Sequence, residues 1–550
     1  MNAYEVAVER IDSALRQRHR AGKLGPGASL ALTTRDRLLA TRAYGVAHVH
    51  TREPVDETTL FQIGSITKHF TAVACLRLHE EGLLDLHAPV TDVLDWFEVA
   101  SGYETPLTIH HLLTHTGGLV MMNDCFPSSW WQAWSLRDTR LGFEPGTKFS
   151  YSNVGYNVLQ CILQTVTGQP FGELLRTTVF APLGMNDTWG EVRTEQLPRM
   201  ARGHKSSYHD DRPASISERQ VPVNWYEMSA GCASVVTTPA DLSRFLRMLL
   251  RRGVADDGRR LLSEEAFETM IHPYVDVEGF FEGTSQGYGL LIERSDDTGG
   301  TQRIIGGGEN LGYEAAMYGD CETGLGVILF NNSFDICWSD VRHAMSELIC
   351  ASHGDVPPEM PGPSADDPTN MEDRACPYAG EYCGTDRSFT VTDNEGRVEM
   401  VCDGTVAVLE PIYGDCFVTG HPAFEHAMLS FGRDDSSDVV EAFSLGDWFR
   451  NRRYRGPTEF ATPGDWDAYI GKYRSFGILV TNFRIFARKG TLFRQAFGGY
   501  VDEPLTDLGG GSFRVGDDTS PEILTFDALA GGRALRCRVA GGAFFRVDDP

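Results

Sequence analysis

Apolar and polar positions follow two different periods along this chain. From Lys68 to Leu83 apolar residues recur at helical spacing (Phe70, Val73, Ala74, Leu76, Leu78, Leu83), and Gly82 stands where a helix would stop. Val154 to Val166 reads the same way and closes on Gly168. Between such helices lie strand-like stretches: Pro26 to Thr33 and Leu38 to Tyr44 flank the charged turn Arg35-Asp36-Arg37. The first eleven residues, Met1 to Ile11, read as the start of an amphipathic helix. Residues 1–350 therefore predict one mixed α/β domain.

From Ser352 to Arg374 the periodicity disappears, and Val-Pro-Pro-Glu-Met-Pro-Gly-Pro-Ser-Ala-Asp-Asp-Pro marks a linker, placed at 351–375. Beyond it short alternating strands are separated by turn residues such as Asp403-Gly404 and Gly509 to Gly511. This tail repeats itself. Pro377-Tyr378-Ala379-Gly380-Glu381-Tyr382 opens one copy, and Ala468-Tyr469-Ile470-Gly471-Lys472-Tyr473 opens another about ninety residues later. The copies end in Trp448-Phe449-Arg450 and Phe544-Phe545-Arg546. A repeat of that size suits a closed antiparallel barrel of about eight strands. Two such barrels are expected, at 376–458 and 459–550.

Composition narrows the function classes. The chain has 550 residues, 41% apolar and 23% charged, which is the balance of a globular protein of several domains. With 49 basic against 76 acidic residues the net charge is −27. That charge disfavours a nucleic-acid binder, which needs a basic surface, and an anionic membrane surface would repel it. No secretory signal and no apolar stretch of membrane-spanning length is visible. The 12 cysteines lie scattered, without a C-x-x-C pair, which fits reduced thiols and a cytoplasmic location.

The candidate chemistry begins at Gly64-Ser65-Ile66-Thr67-Lys68, near the start of the first long helix. Ser65 and Lys68, three apart, share one face of a turn. A serine hydroxyl is a poor nucleophile until a base takes its proton. A buried lysine supplies that base or a positive field, and the helix N-terminus supplies backbone donors for developing negative charge. S-x-x-K alone is weak, and a surface Ser-Lys pair is its usual explanation. The second element is Tyr151-Ser152-Asn153. A tyrosine beside a lysine can act as the base, and an asparagine two residues on can orient the lysine and donate to a substrate carbonyl. Read without Ser65, the same residues are a Pro145-Gly146 turn, a core tyrosine and a helix-capping asparagine. His110, His111 and His115 carry an i, i+4 component that suits a metal, but no acidic third ligand accompanies them, so packing is expected and no metal.

These motifs resemble those of the class C β-lactamase, DD-peptidase and esterase family, whose hallmark is S-x-x-K, Y-x-N and K/H-x-G. Further matching stretches are Thr59 to Ser65, Leu112 to Leu119, Phe180 to Met185 and Ala230-Gly231-Cys232-Ala233-Ser234, spread over residues 25 to 340 in the family's order. The resemblance implies an α/β (α+β) β-lactamase-like catalytic domain with an antiparallel sheet flanked by helices, followed by two lipocalin-like barrels. It also implies Ser65, Lys68 and Tyr151 as catalytic residues and Asn153 as a substrate contact. The third motif departs from the pattern. Gly306-Gly307-Gly308-Glu309 puts Gly306 where the family usually has Lys or His, which counts against β-lactams and carboxylate-bearing substrates. Gly308 permits close backbone approach, and the Glu309 amide would pair with that of Ser65 as an oxyanion hole.

The two-barrel tail is similar to that of the D-aminopeptidase branch, in which a loop of the last barrel reaches the active site. The corresponding stretch here is Phe493 to Glu503, where Asp502 or Glu503 would hold a substrate amine. The expectation is acyl-enzyme chemistry on small amides or peptides, with no cofactor, no nucleic-acid partner and no membrane; a homodimer is left open. The alternatives are an esterase or an acyltransferase with an amine or alcohol acceptor (peptide cyclisation included), and a catalytically silent binding protein of the same fold.

Overall fold

The computed structural model describes the chain apart from residues 1, 123–127, 207–219, 278–282, 296–300, 334–337, 355–375, 395–396, 478–480, 496–501 and 548–550. The described residues form two compact units. The first is built on a nine-stranded antiparallel sheet. One of its interior strands, Gly27–Thr34, pairs with Leu38–His48 on one side and Leu325–Asn331 on the other. Gly27–Thr34 is buried along nearly its whole length, which explains why its sequence is a continuous apolar run instead of an alternation. One face of the sheet is covered by the helices Ala3–Arg20 and Trp338–His353, whose Ala7, Val8, Ile11, Leu15, Val341, Met345 and Leu348 form one core with Leu30, Leu32, Val327 and Leu329. The first helix begins with a capping box between Asn2 and Glu5, in keeping with the helix start read at Met1 to Ile11. On the other face Leu246 of helix Pro239–Leu250 rests against Gly319 and Gly326, where a β-carbon would collide with it.

The helix Thr67–Glu80 follows a 3₁₀ turn at Gly64–Ile66 and is buried on every side from Thr67 to Leu76. A helix buried all round must satisfy its polar side chains inside the protein. Thr67 Oγ1 accepts the Val235 N–H at 3.0 Å, and Thr71 Oγ1 donates to the Gly231 carbonyl at 2.7 Å. These two bonds lash the segment 231–235 along the helix and bring the Cys232 carbonyl to the next residue in line, Lys68. The helix Asn153–Thr167 ends on Gly168 (φ 67°), as its sequence predicted.

The second unit contains the repeated β structure. Eight strands from Gly471–Arg474 to Gly542–Val547 close into a barrel, the last strand pairing back on the first through Lys472↔Val547. The preceding copy forms a sheet whose order begins with Thr405–Val408 and ends with Glu410–Tyr413. Those two strands are consecutive halves of one bent stretch interrupted at Leu409, so chain continuity brings the two edges together. The repeat is visible in atomic detail. Tyr382 OH donates to the Tyr378 carbonyl at 2.9 Å, and Tyr473 OH to the Tyr469 carbonyl at 2.8 Å. Both tyrosines are fully buried, and both follow a glycine of positive φ (149° at Gly380, 155° at Gly471). Lys489 ties the copies together, pairing with Glu441 at 3.0 Å and standing over the Trp448 and Phe460 rings.

Candidate active site

Ser65 lies in the 3₁₀ turn and Lys68 in the first turn of the buried helix, so their backbone positions are set by one rigid element. Lys68 is 2% exposed, and its ammonium donates to three acceptors: Ser65 Oγ at 3.0 Å, Asn153 Oδ1 at 2.8 Å and the Cys232 carbonyl at 3.1 Å. An ammonium has three protons, and all three are used. Among the described residues no carboxylate pairs with it, so these oxygens and the Tyr151 ring, 4.8 Å from Nζ, carry its stabilisation.

Tyr151 OH donates to Ser65 Oγ at 2.7 Å. The serine oxygen is therefore within proton-transfer reach of both a phenol and an amine. Ser152, not Asn153, caps the following helix, its Oγ accepting the Gly155 N–H at 3.0 Å. Asn153 is the first helical residue, its N–H held by the Met121 carbonyl at 2.7 Å, which leaves its side chain for Lys68. The capping reading of the asparagine thus belongs to its neighbour.

The strand Thr301–Asn310 crosses the serine turn at backbone distance. A β-carbon on Gly308 would fall inside the Ile63 carbonyl and 2.9 Å from the Ser65 nitrogen. Gly64 (φ 49°) is as tight from the other side, with its β-carbon position 2.6 Å from the Glu309 nitrogen. Both positions need glycine, because backbone occupies the space a side chain would take. The peptide of Glu309 is thereby packed against the turn that carries the Ser65 amide.

The Beta-lactamase family model matches residues 12–348. That span is more than half of the protein and contains every residue of this site. The chain belongs to the Beta-lactamase family. It is 31% identical over 388 residues to penicillin-binding protein 4 of Amycolatopsis lactamdurans, covering 68% of this chain and 96% of that protein. It is 26% identical over 357 residues to the D-aminopeptidase of Gluconobacter oxydans, covering 63% of this chain and 62% of that one. Among solved structures, the D-amino acid amidase of Ochrobactrum anthropi complexed with D-phenylalanine superposes with a TM-score of 0.51 at 26% identity, covering 64% of this chain and 99% of that chain. With such relatives this member of the Beta-lactamase family is a hydrolytic enzyme.

Within the family frame the third motif has an unusual floor. Gly306 lies against His69, and a β-carbon there would stand 2.9 Å from the imidazole Nε2. His69 is buried, neither ring nitrogen makes a well-formed hydrogen bond among the described residues, and burial followed by the Lys68 charge pushes its pKa down to about 3. A neutral imidazole thus fills the room that a Lys or His side chain at 306 would need. Arg303, the nearest cation along the strand, is held by Asp320 and Glu293 at 3.3 and 3.4 Å.

Glu309 projects an exposed carboxyl without a charged partner among the described residues, and partial loss of hydration raises its pKa. Asp502 is instead paired with Arg488 at 2.7 Å and Glu503 with Arg494 at 2.7 Å, inside their own barrel. The intervening loop, residues 496–501, lies outside the described residues. His110 and His111 do packing work: His110 bonds the Tyr288 hydroxyl at 2.6 Å, and His111 completes the cap at Thr108. Two participants escaped the sequence reading. The Cys232 oxygen is main chain and leaves no side-chain signal, although its stretch matched the family; His69 looked like one more residue of an apolar helix.

Proposed function

We propose that this protein is a serine amidase or peptidase that works through an acyl-enzyme on small substrates bearing a free amine, with D-stereochemistry at the acyl residue. The observation that carries this reading is Ser65 Oγ hydrogen-bonded to both Tyr151 and Lys68 inside one rigid site. In the reactive form Tyr151 has given its own proton to solvent and stands as a phenolate beside the Lys68 ammonium; Ser65 Oγ attacks the substrate carbonyl carbon as its proton passes to that phenolate oxygen. The Ser65 and Glu309 amides receive the oxyanion. When the C–N bond breaks, the proton is delivered by Tyr151 to the leaving amine; water then repeats the sequence to release the acid. Asn153 and the Cys232 carbonyl hold the Lys68 ammonium in register with Ser65 and Tyr151.

Substrate class follows from charge. Glu309, whose amide helps form the oxyanion position, offers a carboxyl with no charged partner among the described residues, which favours an amine. Gly306 and the neutral His69 offer nothing to a substrate carboxylate, and leaving one desolvated without a partner is costly. Kinship with a D-aminopeptidase and with a D-amino acid amidase supports the D-residue. A panel of D- and L-aminoacyl p-nitroanilides, short-chain p-nitrophenyl esters and benzylpenicillin tests the assignment. Highest kcat/KM is expected on a D-aminoacyl anilide and very slow turnover on the penicillin. Efficient penicillin hydrolysis would sink the reading.

Close backbone packing at Gly308 gives a second test. Gly308→Ala forces the strand away from the serine turn and separates the two amides. A fall in kcat of about 10²–10³-fold is expected, the scale of losing one oxyanion donor. Unchanged kcat would remove the Glu309 amide from the mechanism.

A further inference from the structure

Tyr151 sits in a loop, yet its hydroxyl must stay within 2.7 Å of Ser65 for the chemistry above. One residue grips that loop on both sides of the tyrosine. The His115 carbonyl accepts the Ser150 N–H at 2.8 Å, and His115 Nδ1 accepts the Ser152 N–H at 3.1 Å. The N–H groups of the residues immediately before and after Tyr151 therefore end on the same histidine. Its ring lies against the Tyr151 ring (centroids 4.4 Å apart, planes 37° apart) and, on the other side, against Tyr156 at 5.0 Å. Lys68 Nζ stands over the same two rings, at 4.8 and 5.6 Å.

Such a double grip requires an unusual backbone. His115 is 3% exposed and adopts a left-handed φ of 56°, which is uncommon for a residue other than glycine, although asparagine, aspartate and histidine adopt it more readily than the rest. Its neighbours lock it there: Thr114 Oγ1 donates to the His110 carbonyl at 2.9 Å, and the Thr116 carbonyl accepts the Gly146 N–H at 2.8 Å. For Nδ1 to accept, the imidazole must be neutral with its proton on Nε2. Burial, and then the Lys68 charge, hold the His115 pKa well below its ordinary value and keep it neutral.

We propose that His115 is the positioning residue of Tyr151, its carbonyl and Nδ1 clamping the N–H groups of Ser150 and Ser152 on either side of the tyrosine so that the phenol is presented to Ser65. This rests on the reading of Tyr151 as the base. The role is distinct from filling space, since a space-filling ring needs no acceptor.

The test uses the full chain and a fluorophosphonate probe, whose reaction with Ser65 reads activation of the nucleophile without knowledge of the natural substrate. His115→Asn keeps the left-handed backbone and offers Oδ1 to the Ser152 N–H, whereas His115→Gly keeps the backbone and offers no acceptor. Both lack the ring, so their difference isolates the clamp. His115→Gly is expected to lower kinact about 10- to 100-fold with KI within about threefold, the scale of a misplaced catalytic group, while His115→Asn stays at least about tenfold faster than His115→Gly. His115→Phe keeps a ring without the acceptor and is expected to fall with His115→Gly; it serves as the comparison if the glycine variant loses its near-ultraviolet circular dichroism. Equal kinact in Asn and in the variants lacking an acceptor, or wild-type kinact in His115→Phe, overturns the clamp. Tyr151→Phe is run beside them. Wild-type labelling in Tyr151→Phe overturns the base reading and the clamp with it. Slow labelling in Tyr151→Phe with no difference between Asn and Gly overturns the clamp alone.

Discussion

Replacing Ser65 by alanine is expected to reduce turnover by roughly 10⁶-fold, to the detection limit, while leaving the fold in place. The serine contributes one hydroxyl, and its loss takes one acceptor from Lys68 and one from Tyr151. Lys68 keeps Asn153 Oδ1 and the Cys232 carbonyl, so the buried ammonium is not orphaned and stability should shift by only about 1 kcal/mol. Intact-mass analysis after fluorophosphonate treatment gives the decisive reading. A single phosphonyl adduct on Ser65 in the wild type and none in Ser65→Ala is expected. An adduct on a different serine, or one that persists in the variant, would refute the nucleophile assignment.

Tyr151→Phe removes one oxygen from the site and nothing from its shape. The ring keeps its place against His115 and beside Lys68, so substrate binding should be nearly unchanged. The Ser65 proton, however, loses its nearest acceptor, and kcat is expected to fall about 10²–10⁴-fold, the span of general-base loss. Single-turnover acylation with the best p-nitroanilide of the panel separates this from slow product release. Full acylation in the phenylalanine variant would move the base role to Lys68, whose nitrogen is 3.0 Å from the same serine oxygen.

Much of the architecture was legible in the sequence because it rests on local rules. Helical spacing and a terminal glycine located Asn153–Thr167 to within a residue, since a left-handed glycine ends a helix whatever surrounds it. Ser65 and Lys68 met because three residues of one helical turn bring them together, with no need of tertiary information. The duplicated tyrosine-glycine opening of the tail announced two copies of one β architecture, and the same tyrosine-to-carbonyl bond recurs in both. The closed barrel over Gly471–Val547 followed from strand length and alternation; the bend at Leu409, by which one strand serves both edges of the other copy, did not.

What only the tertiary structure decided concerns groups distant in the chain and polar atoms without side-chain signatures. The third acceptor of Lys68 is a carbonyl 164 residues away, delivered by threonines that the helical pattern registers only as polar interruptions. Gly306 reads in sequence as a missing cation; in space it is the room taken by His69, a pairing that exists only once strand and helix are packed. Asp502 was a candidate for a substrate amine from its place in a loop, but an arginine at 2.7 Å already pairs with it, while Glu309 at the site has no charged partner among the described residues. His115 stood in the sequence as one of three histidines expected to pack; in space its carbonyl and Nδ1 accept the N–H groups of Ser150 and Ser152, on either side of Tyr151. Local sequence sets which elements form; which polar groups meet inside them depends on burial, where every donor and acceptor must find a partner brought from elsewhere in the chain.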